Sequence, residues 1–246
     1  MELKKNKSLI INPGATSTKA SIFEGETEIF TENIKHPIEE IQQYKEVADQ
    51  FEYRKNAILD MVKKHGVSTD EIAIVVGRGG LTRPCESGTY RVDELMLQEC
   101  RAGIQGKHAC NLGAIISDSI AKEIGLECAY IADPGIVDER PEYAKITGHP
   151  EFDLDPTREG VIWHCLNQKM TAKLYAREIG KTYEDLNLII AHMGGGVSVG
   201  VHQHGRCVEV NRALCGLGPF SPTRSGSINA SKLIEVCFSG KYDMAK

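Results

Sequence analysis

A turn of small and hydroxyl-bearing residues near the N-terminus has the composition of an anion-binding site. Residues 9–11 are apolar and predict a short buried strand, and the Asn-Pro-Gly sequence of residues 12–14 ends it. Thr16 and Ser17 then supply hydroxyl groups, and Lys19 supplies a positive charge. Backbone N–H groups in such a turn can approach a phosphate closely. The pattern predicts a phosphate-binding turn, and the alternative is a hairpin that binds nothing.

The same order of elements returns in the second half of the chain. Residues 188–201 combine an apolar run, a turn of three glycines (Gly194, Gly195 and Gly196) and an alternating strand, which residues 202–205 turn into a third strand. Two copies of strand, turn, strand, turn and strand indicate an internal duplication. Two similar halves would bring both turns to one cleft, which favours phosphate binding at each of them.

Two arginines lie in loops in which the neighbouring residues have small side chains. Arg78 follows a strand predicted over residues 72–76 and lies among glycines, and Arg224 lies in a loop of Gly, Pro and Ser over residues 217–226. The planar guanidinium group is the best side chain for holding phosphate or carboxylate. Both arginines are candidate anion ligands, and the alternative is a solvated side chain on a surface turn.

An aspartate and a histidine are further candidates. Asp133 ends a strand predicted over residues 128–132, where open α/β sheets place ligand contacts. His164 lies near the start of a helix predicted over residues 163–179. A turn-forming aspartate before proline and a structural histidine are the alternatives.

Composition restricts the class of protein. In 246 residues, 41% hydrophobic and 26% charged residues are ordinary for a globular protein, and a net charge of −5 does not suggest a nucleic-acid surface. No apolar run approaches a membrane span, and no apolar segment of a signal peptide precedes the first strand, so we expect a cytoplasmic protein. The eight cysteines lack CxxC pairs, and we expect thiols rather than disulfides or zinc ligands.

Helices and strands alternate along the chain. We predict helices from residue 51 to the stop at Gly66, from residues 107–112 to the stop at Gly125, and over residues 163–179, where the apolar positions are Leu166, Met170, Leu174 and Ile179. Residues 143–157 are polar and irregular. We therefore predict a first domain over residues 1–157 and a second over residues 158–246.

Eight segments of the sequence resemble the acetate and butyrate kinase (acetokinase) family, and its butyrate branch most closely. They occur in the family's order along the whole chain. They are INPGATSTK (11–19), GRGGL (77–81), GTYRV (88–92), HACNLGA (108–114), DPGIVDE (133–139), HCLNQK (164–169), DLNLIIAHMGGGVSVG (185–200) and GPFSPTRSG (218–226). The resemblance implies the α/β, duplicated actin-like ATPase (ribonuclease H-like) fold, with a ligand cleft between two domains.

The resemblance also implies a reaction. Family members transfer the γ-phosphoryl group of ATP reversibly to a short-chain carboxylic acid, and they use Mg²⁺. We therefore expect butyrate or a related carboxylate, ATP and ADP as ligands, no nucleic-acid or membrane partner, and a homo-oligomer at full length. Within the family, the Pro-Gly sequence after Asn12 and the short loop of residues 218–224 favour butyrate over acetate.

Roles for individual residues follow from the same resemblance. Arg78 would hold the carboxylate together with His108, and Asp133 would act at the reacting centre directly or through magnesium. His164 would add a hydrogen bond in the transition state, and Arg224 would stabilise the transferring phosphoryl group. The expected nucleotide and cofactor contacts are Asn12, Thr16, Ser17, Lys19, His192, Gly194, Gly195 and Gly196, and the expected magnesium ligands are Asn12 and Asp133.

The chain departs from the family in its length. Its second domain has three predicted strands and one helix, whereas family members continue into an adenosine pocket and an acidic magnesium ligand. We therefore expect an incomplete second domain and a truncated kinase that is poorly active alone. The alternative is an inactive remnant that binds carboxylate or phosphate or packs with a partner. A sugar kinase of the same fold would need a catalytic aspartate in a sugar-binding motif, which is not found.

Overall fold

The computed structural model describes residues 5–146, 148–152, 161–214 and 218–243. These residues divide into two compact units, one reaching Asp138 and the other starting at Glu139. The predicted domain boundary at residue 157 lies outside the described residues, so it stays a prediction. Within the described residues, no helix is long and apolar enough to cross a membrane.

The first unit is built on a six-stranded mixed sheet in the order β3-β2-β1-β4-β6-β5. Strands β1, β4 and β6 are mutually parallel, and the other three are antiparallel to their neighbours. The strands are β1 (Lys7–Pro13), β2 (Ser17–Glu24), β3 (Thr27–Lys35), β4 (Ile72–Arg78), β5 (Thr89–Arg91) and β6 (Tyr130–Ala132).

Four helices accompany this sheet. They are α1 (Ile38–Ile41), α2 (Phe51–Lys64), α3 (Glu94–Ala102) and α4 (Leu112–Glu123). Asp93 caps α3 by accepting a hydrogen bond from the N–H of Met96 at 2.8 Å, as its sequence position predicts. The core lies where α4 covers β1 and β4 and where α2 packs against α4, β2 and β3. Its fully buried members include Leu9, Ile11, Ile22, Ile58, Val62, Val75, Leu112, Ile116 and Ile131.

The second unit contains an antiparallel sheet in the order β7-β8-β9. Its elements are α5 (Cys165–Glu178), β7 (Asn187–Met193), β8 (Val197–Gln203), β9 (Arg206–Val210) and α6 (Ala230–Cys237). Like β1, β2 and β3, these strands form an antiparallel meander, and both meanders carry a register shift between their second and third strands. The two meanders agree with the predicted duplication.

The buried face of α5 differs from the apolar positions of its sequence. Met170 and Leu174 are about half exposed, at 49% and 51%. The buried side chains are instead Cys165, Gln168, Lys169, Ala172 and Ala176. The small alanines let the helix pack closely on β7, and the polar pair is satisfied by hydrogen bonds and by the Glu139 carboxylate. Hydrophobicity alone therefore gave the wrong face of this helix.

Candidate functional site

The turn between β1 and β2 presents its polar residues to solvent. The N–H of Gly14 donates to the carbonyl of Ser17 at 2.7 Å and closes the turn. Asn12 and Lys19 are paired across the two strands and are both exposed, so their side chains share one face. Thr16 lies exposed at the tip of the turn. An amide, a hydroxyl group and an ammonium group are thereby displayed together, as an anion site requires.

A buried arginine that the sequence analysis missed holds this turn from beneath. Arg54, on α2, is fully buried, and burial lowers the pKa of its guanidinium group. Its Nη1 donates to the Gly14 carbonyl at 2.7 Å and its Nη2 donates to the Ala15 carbonyl at 3.0 Å. The Gln50 side chain accepts from Nε and Nη2 at 3.1 and 2.9 Å. The turn's carbonyl groups thus face the arginine.

We expect Arg54→Met to loosen this turn. The change removes the charge-assisted donors from two partly buried carbonyl groups, where a hydrogen bond to a charged group contributes about 1.5–3 kcal/mol. Urea unfolding should show the loss, and hydrogen exchange should accelerate at the Gly14 amide. Arg101→Met, at an exposed arginine on α3, is the matched control. Unchanged exchange at Gly14 would contradict a clamping role.

Two buried histidines should make the protein less stable in acid. Burial lowers the pKa of His36 and of His202 from 6.5 to about 4 each. Between these values the unfolded imidazoles bind protons that the folded ones do not, so the free energy of unfolding falls as the pH drops from about 6.5 through about 4. Urea unfolding over a pH series measures this slope. His36→Gln should reduce it and His149→Gln, at an exposed site, should not; a flat profile would refute the expectation.

Three predicted site residues follow one another across the carboxyl edge of the first sheet. Ile11 pairs with Gly77 in the register of the parallel strands β1 and β4. The next residues along the two strands, Asn12 and Arg78, therefore lie side by side. Asp133 follows the last residue of β6, which pairs with Arg78. Neighbouring strands are about 4.8 Å apart, so this edge collects an amide, a guanidinium group and a carboxylate.

Arg78 is positioned by a close approach of α4 to β4. A Cβ atom at Gly113 would overlap the carbonyl oxygen of Arg78, and one at Gly77 would overlap the carbonyl oxygen of Gly113. Both glycines are therefore required by backbone packing directly beneath the arginine. Arg78 is half-buried and forms no ion pair with the described residues, so its charge is available to an anion.

His108 begins the helical turn that leads into α4. Its Nδ1 accepts a hydrogen bond from the N–H of Cys110 at 3.2 Å. Asn111, at the end of the same turn, accepts from the N–H of Leu81 at 2.9 Å and so ties this turn to the loop after Arg78. Burial raises the pKa of the Cys110 thiol to about 11, an effect that the positive charge of Arg78 partly offsets. The histidine and the arginine thus belong to one cluster.

Asp133 adopts a left-handed backbone conformation, with φ of +36°. Its Oδ1 accepts hydrogen bonds from Ser87 Oγ at 2.6 Å and from the N–H of Gly88 at 2.9 Å. These bonds fix the carboxylate, and among the described residues none donates to Oδ2. A non-glycine residue held at positive φ is uncommon and marks a backbone that its surroundings determine.

The second unit contains its own cluster around the glycine turn. The N–H of Gly194 donates to the carbonyl of Gly196 at 3.0 Å, and Ser221 Oγ donates to the carbonyl of Gly195 at 2.8 Å. A Cβ atom at Gly196 would overlap the guanidinium group of Arg224 and would lie 3.2 Å from His164 Cε1. Arg224 and His164 therefore meet at Gly196, which explains the glycine.

Two histidines stack beside this turn. The rings of His164 and His192 are 3.7 Å apart with an interplanar angle of 9°. His192 Nδ1 forms a 2.8 Å hydrogen bond with Asn167 Oδ1, and His164 Nδ1 forms a 2.9 Å hydrogen bond with Ser198 Oγ. The second unit thus brings together the predicted residues His164, His192, Gly194, Gly195, Gly196 and Arg224.

The described donor set suits magnesium better than a metal that needs a protein cage. Among the described residues, no group of three or more His, Cys, Asp or Glu side chains could hold a metal. Mg²⁺ needs no such group, because it keeps several waters and binds through one or two carboxylates and substrate phosphates. The Asp133 carboxylate, with Oδ2 directed away from its two hydrogen bonds, and the Asn12 amide fit that pattern.

Comparison with solved structures defines the fold. Over 98% of this chain and 66% of the other, it matches the crystal structure of Porphyromonas gingivalis acetate kinase with a TM-score of 0.71 at 19% identity. A propionate kinase from Francisella tularensis matches with a TM-score of 0.63 at 16% identity, over 98% and 66% of the two chains. The predicted α/β, duplicated actin-like ATPase fold is confirmed.

Sequence comparison finds relatives that are named butyrate kinases. Residues 160–239 match the model of the acetokinase family. The chain is 52% identical to Butyrate kinase 1 of Clostridium acetobutylicum over 95% of its length, and 51% identical to Butyrate kinase 2 of that organism over 97%. It spans 64% and 65% of those two relatives. The chain is therefore similar to butyrate kinases over nearly all of its own length but over slightly less than two thirds of theirs.

Proposed function

We propose that the chain supplies active-site residues of a carboxylate kinase. The reaction transfers the γ-phosphoryl group of ATP reversibly to butyrate or a similar short-chain fatty acid and gives the acyl phosphate and ADP. The observation that carries the proposal is the meeting of Arg224 and His164 at Gly196, in a turn that can hold phosphate. Relatives whose sequences are 52% and 51% identical to this chain are named butyrate kinases, which supports the same activity.

The carboxylate is already a nucleophile, so the protein's work is to position it and to balance charge. Arg78 would hold the substrate carboxylate with its planar fork, and the nearby His108 would donate a second hydrogen bond. The α4–β4 contact holds the backbone of Arg78, which supports a role in orienting the carboxylate. Positioning of this kind can remove a large part of the activation barrier in two-substrate reactions.

Arg224 and His164 would act on the phosphoryl group in transit. Charge in a phosphoryl transition state is spread over three equatorial oxygens, and fixed donors at these oxygens lower the barrier. Arg224 would supply two parallel donors, and His164 would add one. Bound Mg²⁺ would neutralise charge on the phosphates, and Asp133 and Asn12 would hold it.

The two turns would hold the nucleotide phosphates. The turn of Gly194, Gly195 and Gly196 would let a phosphate approach its backbone closely, because glycine carries no side chain, although the N–H of Gly194 is already bonded within the turn. The turn between β1 and β2 would contribute Thr16, Ser17 and Lys19, with Arg54 keeping its carbonyl groups directed away from the anion. Assembly as a homo-oligomer at full length remains part of the proposal, and light scattering tests it.

The assay for this function is formation of the acyl hydroxamate from butyrate, Mg-ATP and hydroxylamine. It should be run on the chain itself and on a chimera extended with the unmatched part of Butyrate kinase 1. We expect the chimera to form butyryl phosphate and the chain alone to form very little. Absence of product from the chimera, with both proteins folded, would favour an inactive remnant.

We expect butyrate to be preferred over acetate. Each added methylene group that meets an apolar wall contributes about 0.8 kcal/mol, so two of them correspond to roughly a tenfold gain in kcat/KM. Competition between the two acids in the same hydroxamate assay measures the ratio. A higher kcat/KM for acetate would reassign the chain's substrate.

A further inference from the structure

A chain of buried polar side chains leads inward from His164. Ser198 Oγ lies 2.9 Å from His164 Nδ1, and Gln168 Nε2 lies 2.8 Å from Ser198 Oγ. Gln168 Oε1 lies 2.9 Å from His202 Nε2, and His202 Nδ1 is hydrogen-bonded to the hydroxyl of Tyr183. Ser198, Gln168 and His202 are fully buried, so water does not compete for these bonds. The five residues form a continuous relay.

One carbonyl group fixes the direction of the hydrogen bonds from Gln168 to Tyr183. Gln168 faces the backbone carbonyl of Ser198 at 3.0 Å, and a carbonyl oxygen can only accept, so the amide nitrogen must point there. The amide oxygen therefore points at His202 Nε2, which must carry its proton. His202 Nδ1 then accepts from the Tyr183 hydroxyl. Burial lowers the pKa of His202 to about 4, in agreement with a neutral ring that has one donor and one acceptor.

The same reasoning fixes the serine. Ser198 Oγ accepts from Gln168 Nε2, and its other described partners are the backbone N–H of His164 at 3.4 Å and His164 Nδ1. A backbone N–H can only donate. The serine proton therefore has His164 Nδ1 as its acceptor, and the proton of a neutral His164 must lie on Nε2.

We propose that Gln168 and Ser198 are positioning residues that hold His164 as the Nε2–H tautomer. The consequence rests on the proposed function: a fixed tautomer presents a hydrogen-bond donor, rather than an acceptor, to an anionic phosphoryl group. In free imidazole the two tautomers exchange, and a partner at one nitrogen selects between them, as it does for histidine metal ligands. The relay supplies that partner from the interior of the unit.

The test is the ring ¹⁵N spectrum of the chain labelled at histidine, with His164 assigned by loss of its signals in His164→Gln. At about pH 8 an imidazole of ordinary pKa is neutral, so the two nitrogens report the tautomer directly. We expect His164 of the unaltered chain to give the full Nε2–H pattern. In Ser198→Ala its two ¹⁵N shifts should move toward each other, because Nδ1 has lost its donor. Ser198→Thr keeps the hydroxyl group and should restore the original pattern.

Ser239→Ala is the matched control, since that exposed serine is hydrogen-bonded to the backbone of Val236 and Lys241 at the end of α6 and not to the relay. An Nδ1–H pattern for His164 in the unaltered chain would overturn the proposal even if no variant folds. Unchanged His164 shifts in a folded Ser198→Ala would also overturn it. The spectrum needs no substrate or turnover. A failed hydroxamate assay with the expected spectrum would therefore reject the proposed function and leave the relay in place.

Discussion

Replacing Arg224 by lysine should lower kcat for acyl phosphate formation by about 10³-fold or more. An arginine on a transferring phosphoryl group is worth roughly 10³–10⁵ in rate, and lysine keeps the charge but lacks the paired donors. Arg224 is half-buried against Gly196, so the shorter reach of lysine cannot be recovered by simple rotation. Initial rates of the chimera with saturating butyrate and Mg-ATP measure the effect.

Arg78→Lys should also be severe, with a different kinetic signature. Arg78 would hold the carboxylate before and during transfer, so KM for butyrate should rise as kcat falls. Arg177→Lys and Arg101→Lys, at exposed arginines of the second and first units, are the matched controls and should be close to the unaltered enzyme. Near-normal turnover in either active-site variant would remove that arginine from the mechanism.

Gly196→Ala should also be damaging, though less so than Arg224→Lys, even though it adds only one methyl group. That methyl would overlap the Arg224 guanidinium group and crowd His164, so the arginine must move. A displacement of about 1 Å can cost roughly 10²-fold in rate. Circular dichroism and thermal unfolding should show a folded protein, because the residue displaced is a flexible side chain rather than backbone.

The neighbouring glycine provides the comparison. Among the described residues, no atom lies within 4 Å of a Cβ atom built on Gly195. Gly195→Ala should therefore cost much less than Gly196→Ala, even though both change the same turn. Equal losses from the two substitutions would mean that the turn's backbone, and not the position of Arg224, limits the rate.

The order of strands and helices could be predicted from the residues, and the duplicated fold followed from the resemblance to the acetokinase family. Alternating strands and helices, the repeated strand–turn–strand pattern and the strand ends at Arg78 and Asp133 were all visible, because they depend on local periodicity and turn chemistry. The meander of β7, β8 and β9 was predicted to within a residue or two of its ends.

The buried polar residues could not have been predicted in the same way. Arg54 and Gln168 lie on helices whose sequences place them among other polar residues, and the burial of each depends on partners distant in the chain. Ser198 gave one usable signal, since it alternates with solvent-facing positions in a strand. The buried face of α5 does not follow its apolar positions for the same reason, because hydrogen bonds and an ion pair outweigh them.

The most direct test of the account is the fate of the carboxylate oxygen. Butyrate labelled with ¹⁸O in its carboxyl group should be incubated with Mg-ATP and the chimera, and the phosphorus products followed by ³¹P NMR. If the carboxylate attacks the γ-phosphoryl group, butyryl phosphate will form with the ¹⁸O atom bridging carbon and phosphorus, and its ³¹P signal will show the isotope shift. Release of unshifted inorganic phosphate without butyryl phosphate would contradict the central claim.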